Sequence, residues 1–266
     1  MTTTDGQLNS HDTDGIPAGN NERGRPDLPP EGADELTFWR ERATISLSPV
    51  AAPSILGLFG FAAAMFMVAA NLAGWYGDAD TPLVLFPFVL TAGGLAQFLA
   101  GMWAYRARDA VATAMHGVWG AFWIAYGVYY LLIAVGVLPT PANPTAAGAF
   151  GFWFVVLAAI TWMGTLAAAA DNVALTGTLL FLAAGSTLLA IALLGGFPVV
   201  QAIAGYILIL SALLAWYLAS AMMVHATFKR FALPIGKRHA QAERGITGRS
   251  NPIQYAAGEP AIKIGY

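Results

Sequence analysis

The sequence contains no cysteine and very little charge. Without cysteine there can be no disulfide, thiol nucleophile or thiolate metal site, and the redox compartment cannot be read. Asp, Glu, Lys and Arg make up only 11% of the chain, against about 25% in ordinary soluble domains, while 57% of residues are apolar. Between Ala43 and Val224 the only charged residues are Asp78, Asp80, Arg106, Arg108, Asp109 and Asp171, each at a break in an apolar run. A soluble α/β enzyme would need charge on the outer face of every helix, so that class is excluded. A net charge of −2 with no basic face excludes a nucleic-acid partner. Paired intramembrane carboxylates, His-Glu metal spacing and a serine with an adjacent base are all missing. The chain therefore reads as neither an enzyme nor the holder of a metal or cofactor.

What is present is a set of long apolar segments: Ile55–Trp75, Leu83–Trp103, Ala110–Val137, Ala146–Ala170, Val173–Leu194 and Val199–Val224. Each supplies the roughly 20 residues that cross about 30 Å of hydrocarbon at about 1.5 Å per residue. Alternation of the kind a membrane barrel needs is absent, so the expected fold is an all-α bundle of six transmembrane helices. Residues 1–34 are polar and rich in Gly, Pro, Asn, Thr and Asp, which predicts a disordered tail and not a signal peptide. Residues 35–50 carry Leu36, Trp39 and Ala43 at helical spacing and read as an interfacial helix. Residues 51–228 form the expected transmembrane domain, and 229–266 a basic, mostly irregular tail. Arg40 and Arg42 precede the first span, Arg106 and Arg108 lie between the second and third, and Lys229 and Arg230 follow the sixth. The other three breaks hold no Lys or Arg. The positive-inside rule then places both termini in the cytoplasm, as an even span count also requires, and the protein in the cytoplasmic membrane.

Two spans carry polar patterns. Gly93, Gln97 and Gly101 are four apart, so an α-helix puts them on one stripe where two glycines admit a neighbouring backbone and the amide can bond across the contact. Ala92, Ala96, Ala100 and Ala104 make a second small-residue stripe beside it. A helix contact is the first reading, and a water-lined path near Gln97 the second. In the third span His116, Trp119, Trp123, Tyr126 and Tyr130 fall on one face as an aromatic stripe with polar tips. His116 reads either as a neutral, hydrogen-bonded imidazole near the cytoplasmic end or as a proton relay. Pro53 suits a helix start, and Gly57 and Gly60 permit close approach.

Taken in order, these pieces resemble the acetate uptake transporter family, also called the acetate/succinate-proton symporters, whose yeast relatives are associated with ammonia export. The resemblance runs from about Pro53 to Gly236. It is carried by Leu56-Gly57-Leu58-Phe59-Gly60-Phe61, Gly93-Gly94-Leu95-Ala96-Gln97 with Ala100-Gly101, Gly120-Ala121-Phe122-Trp123, Gly164-Thr165-Leu166 and Leu233-Pro234-Ile235-Gly236. It implies six-helix protomers assembled into a homo-hexamer in the bilayer, each with its own path for a small carboxylate and a proton. It also implies an apolar constriction of an aromatic, a tyrosine and a leucine, which by position are Phe61, Trp119 and Leu182. The chain departs from the family at Ala52-Pro53-Ser54-Ile55, where the pattern has Asn-Pro-Ala-Pro. Ala104-Tyr105 stands for Glu-Tyr, Arg108-Asp109 for Gly-Asn, and Val118-Trp119-Gly120 for Ser-Tyr-Gly. The implied function is a transporter or channel for acetate or a similar short-chain monocarboxylate, with the proton carried on the substrate or co-transported. The alternatives are a porter for another small solute, ammonia or succinate, and a non-transporting membrane sensor or assembly protein.

Overall fold

The computed structural model describes residues 51–228 and 233–236. The expected tail at 1–34, the interfacial helix at 35–50 and the basic residues from 237 onward lie outside the described residues. Among the described residues, seven α-helices and one π-helical stretch make up six membrane-spanning elements. These are α1 (Pro53–Leu72), a composite second span, α4 (Ala110–Ala134), α5 (Pro144–Ala168), α6 (Val173–Gly195) and α7 (Pro198–Phe228). The second span joins α2 (Thr81–Phe88), a π stretch (Val89–Ala96) and α3 (Gln97–Ala107). No strand occurs among the described residues, so the six-span helical bundle expected from composition is the fold observed.

Helix ends follow local chemistry more closely than apolarity. Asp109, Asn143 and Asn172 each accept a backbone N–H of the first turn they precede, at 2.8, 2.9 and 2.8 Å. Gly74, Gly136 and Gly196 adopt positive φ just past α1, α4 and α6, a conformation that closes a helix. For this reason α1 and α4 stop at Leu72 and Ala134, short of Trp75 and Val137, to which the apolar runs extend. At the other end of the chain, α7 continues past Val224 to Phe228.

The π stretch is the main departure from regular helix. Pro87 supplies no N–H and crowds the preceding turn, while Thr91 Oγ1 donates to the Pro87 and Phe88 carbonyls at 2.9 and 3.1 Å. Gly93-Gly94 adds two weak helix formers directly after it. The wider π turn changes the register, and the stripe expected from four-residue spacing is divided among neighbours. Gly93 meets the Ala64 side chain of α1 and the Trp123 ring of α4, whereas Gly101 lies against the backbone of Gly117 in α4. A Cβ at Gly101 would approach Gly117 N to 2.7 Å, and one at Gly60 would collide with the Ala92 carbonyl of the π stretch. The two glycines of the stripe thus serve as helix contacts. The carbonyl of the amide between them makes no bond across that contact, because Gln97 Oε1 is buried without a hydrogen-bond partner among the described residues.

The spans close into a ring. α5 packs on α6, α6 on α7, α7 on α1, α1 on the π stretch and α3, α3 on α4, and α4 returns to α5. Small residues line these seams: Ala64, Ala69, Ala104, Ala183, Ala204, Ala215 and Ala219 are all fully inaccessible. Lipid offers no hydrophobic drive for association between helices, so close backbone approach and dispersion hold the seams together.

Of the segment after α7, the described residues Leu233–Gly236 have no regular secondary structure but are held in place. Leu233–Gly236 docks on the start of α6, where Val173 N donates to Gly236 O at 3.0 Å and Ala174 N to Ile235 O at 3.2 Å. Together with the Asn172 side chain, this satisfies the first three N–H groups of α6, which no intrahelical carbonyl can reach. Tyr217 Oη fixes the strap from α7 by donating to Pro234 O at 2.6 Å.

Candidate functional site

Inside the ring lies a cavity of about 300 Å³. Its mouth, at the end of the bundle where α4 and α6 begin, carries the polar groups Ser54, Asp109, Asp171, Asn172 and His225, with Leu233 and Ile235 of the strap across it. Deeper in, the walls are Leu58 and Phe61 of α1, Met115, His116 and Trp119 of α4, and Leu175, Thr178, Leu179 and Leu182 of α6. The three α6 leucines recur at helical spacing, so one face of that helix supplies an aliphatic wall. Gln97 also lines the cavity, a second amide besides Asn172 at the mouth, and it sits at the first position of α3, directly after the π stretch.

Five of the residues singled out from the sequence meet here: Phe61, Trp119, Leu182, Gln97 and His116 all line the one cavity. Phe61, Trp119 and Leu182 come from three different helices and are 3%, 1% and 2% exposed. Phe61 and Trp119 touch edge to face, with ring centroids 6.1 Å apart at 74°. Four others lie apart from the cavity lining. Gly93 and Gly101 are in the helix seams described above. Trp123 and Tyr126 continue the α4 stripe as a packed aromatic column: Trp119–Phe122 centroids are 5.3 Å apart, Phe122–Trp123 4.8 Å, Trp123–Tyr126 5.6 Å and Tyr126–Tyr130 4.6 Å.

His116 lies flat against α1. A Cβ on Gly57 would fall 2.6 Å from its ring, so the missing methyl makes room for the imidazole. Its Nδ1 finds no hydrogen-bond partner among the described residues, which differs from the hydrogen-bonded imidazole expected there. Gly57 faces His116, and Gly60, about one helical turn farther along α1, faces the backbone at Gln97.

Sequence reasoning missed Thr161. This α5 residue is fully buried; its Oγ1 accepts from Trp119 Nε1 at 3.1 Å and donates to Leu157 O at 2.6 Å. Nothing in the spacing links positions 42 residues apart in different spans. The only hint was a threonine at helical spacing from Thr165 in an otherwise apolar run. The polar mouth was also missed, because its residues come from the start of α1, the end of α7 and two separate loops. Among the described residues no group of three or more His, Cys, Asp or Glu could hold a metal.

Comparison with known proteins agrees with this geometry. A family model described as the GPR1/FUN34/yaaH family matches residues 37–237. The succinate-acetate/proton symporter SatP of Escherichia coli (strain K12) is 28% identical over 192 residues, covering 71% of this chain and 97% of the relative. Ammonia transport outward protein 2 of Saccharomyces cerevisiae is 28% identical over 193 residues, covering 68% of this chain and 66% of that protein. The structure of the bacterial acetate channel SatP superposes with a TM-score of 0.65 at 24% identity, spanning 71% of this chain and all of that one. That likeness extends the six-span frame to the way the helices are arranged. The chain is a multi-pass membrane protein that belongs to the GPR1/FUN34/yaaH family.

Proposed function

We propose that the protein is a transporter or channel, not an enzyme, and that it carries acetate and similar short-chain monocarboxylic acids across the cytoplasmic membrane in their neutral form. The observation that carries this reading is Gln97 Oε1, a buried acceptor without a partner among the described residues, in the wall of an aromatic and aliphatic cavity. A primary amide presents one acceptor beside N–H donors, the complement of a protonated carboxyl, which offers one O–H and one carbonyl. A carboxylate offers acceptors alone. It would need a cation or several donors to leave water, and among the described residues lining the cavity there is neither Lys nor Arg. The symporter and channel similar to this chain are both named for acetate, which agrees with the reading.

The test is uptake of labelled acetate into liposomes containing the pure protein. Uptake above that of empty liposomes is expected, and Gln97→Leu, which keeps the side chain's bulk but removes the amide, should lower it. Absence of uptake by the unmodified protein would remove the proposal. The same acceptor suits an ammonia N–H, and one relative is named for outward ammonia transport. Carriage of labelled methylamine without acetate would therefore favour that second reading.

The Lys and Arg distribution orients the bundle with both termini inside, so that the polar mouth and its strap face the cytoplasm. A reporter fused after Tyr266 should be active only on the cytoplasmic side; a signal from outside would reverse the orientation.

A further inference from the structure

We propose that Thr161 is the positioning residue for Trp119, and that the hydrogen bond between them sets the size of acid the constriction passes. This inference rests on the reading of the cavity as the acid's path. Three interactions orient the indole: ring contacts with Phe61 and Phe122, at centroid distances of 6.1 and 5.3 Å, and the Thr161 hydroxyl at its nitrogen. The two ring contacts are non-directional enough for the indole to slide or tilt, but the hydrogen bond fixes where its N–H points.

Thr161 is well placed to act as an anchor. It is 0% exposed, so no water competes for its oxygen, and its own proton is committed to Leu157 O one turn back. The hydroxyl is therefore a fixed acceptor aimed at Trp119. Indole nitrogen has one donor and no acceptor, so once bonded to Thr161 it has nothing left for a substrate. Trp119 acts as a wall and leaves recognition of the acid group to Gln97. An acid too wide for the gap between Phe61, Trp119 and Leu182 passes only if the indole swings, and swinging breaks the bond to Thr161. Acetate does not require this, so loss of the bond changes the ranking of substrates.

The experiment compares acetate and succinate uptake by liposomes bearing the unmodified protein, Thr161→Val and Thr161→Ser. Valine keeps the branched shape and removes the acceptor; serine restores it. Thr161→Val should raise the succinate-to-acetate ratio about fivefold, the factor carried by one buried hydrogen bond of ordinary strength, and Thr161→Ser should return it toward the unmodified value. In a Trp119→Phe background, which lacks the N–H, Thr161→Val should leave the ratio unchanged. An unchanged ratio in a Thr161→Val protein that still takes up acetate would overturn the proposal, as would an equal change in the Trp119→Phe background.

A second measurement separates this from the transport reading and covers poor folding of the valine variant. In detergent, with ¹⁵N in the indoles and the Trp119 signal identified by its loss in Trp119→Phe, Thr161→Ser should keep the Trp119 N–H protected from exchange. Thr161→Val should expose it. Fast exchange already in the unmodified protein would overturn the positioning role whatever the uptake shows. Uptake of neither acid by the unmodified protein would instead defeat the transport reading on which the role depends.

Discussion

Acetate uptake at fixed total concentration should rise about 50- to 100-fold as the outside pH falls from 7 to 5, because a carboxyl with a pKa of about 4–5 gains close to tenfold in its protonated fraction per unit. With the neutral form as the proposed substrate the sign follows from the acid's own titration, since lower pH produces more of that form. The cavity supports this assignment, since among the described residues of its deep part there is no carboxylate that could ferry a proton separately. The carboxylates that line it, Asp109 and Asp171, sit at the mouth with His225, and His116 is the one titratable side chain farther in. Under this mechanism His116→Ala leaves the slope intact, whatever it does to the rate. Initial rates of labelled acetate uptake between pH 5 and 7, for the unmodified protein and for His116→Ala, provide the check. A flat profile would show the anion to be the transported form. A slope that disappeared with the imidazole would place the proton on the protein instead.

Replacing Trp119 by alanine has the other large expected effect, on two observables at once. The side chain is 1% exposed and touches Phe61, Phe122 and Thr161, so its loss leaves a void the close-packed neighbours cannot fill. The expected destabilisation is about 3–5 kcal/mol, as for other large-to-small core changes. Thr161 adds no further penalty, because its hydroxyl keeps its bond to Leu157 O. If the indole also defines the constriction, the widened gap should admit a four-carbon diacid more easily, and succinate uptake should rise several-fold relative to acetate. Thermal midpoint and uptake ratio must be read together on the same preparation. A lowered midpoint with an unchanged ratio would leave Trp119 as packing only, and the gate assignment would be withdrawn.

The parts of this protein legible from residues alone are those governed by the solvent or by nearest neighbours along the chain. Hydrocarbon cannot satisfy backbone polar groups or hold unpaired charge, so six uncharged apolar stretches could only be spanning helices. Local rules also marked Pro53 as a helix start. Where the text of the sequence misled, a local rule had been given too little weight. Apolarity carried the expected first and third spans through to Trp75 and Val137, although Gly74 and Gly136 close those helices. Pro87 and Gly93-Gly94 were visible as well, but a π turn depends on how the whole segment packs, and a regular four-residue stripe was expected in its place.

The site was legible only in part. Phe61, Trp119 and Leu182 were named through family resemblance, and Gln97 and His116 because a polar side chain in hydrocarbon needs a reason. That all five line one cavity is a tertiary fact, since they come from four different spans, and no periodicity within one helix specifies how its neighbours are rotated. The same holds for the bond from Trp119 to Thr161 and for the strap at Leu233–Gly236, whose carbonyls take up the free N–H groups of α6. The sequence by itself determined that the chain crosses a membrane six times and which few polar groups it takes with it, because transfer from water to lipid depends on composition and length. The tertiary structure decided which of those groups meet and which stay unsatisfied, because contacts between helices depend on small residues such as Gly57, Gly60 and Gly101, whose effect appears only in the partner each allows to approach.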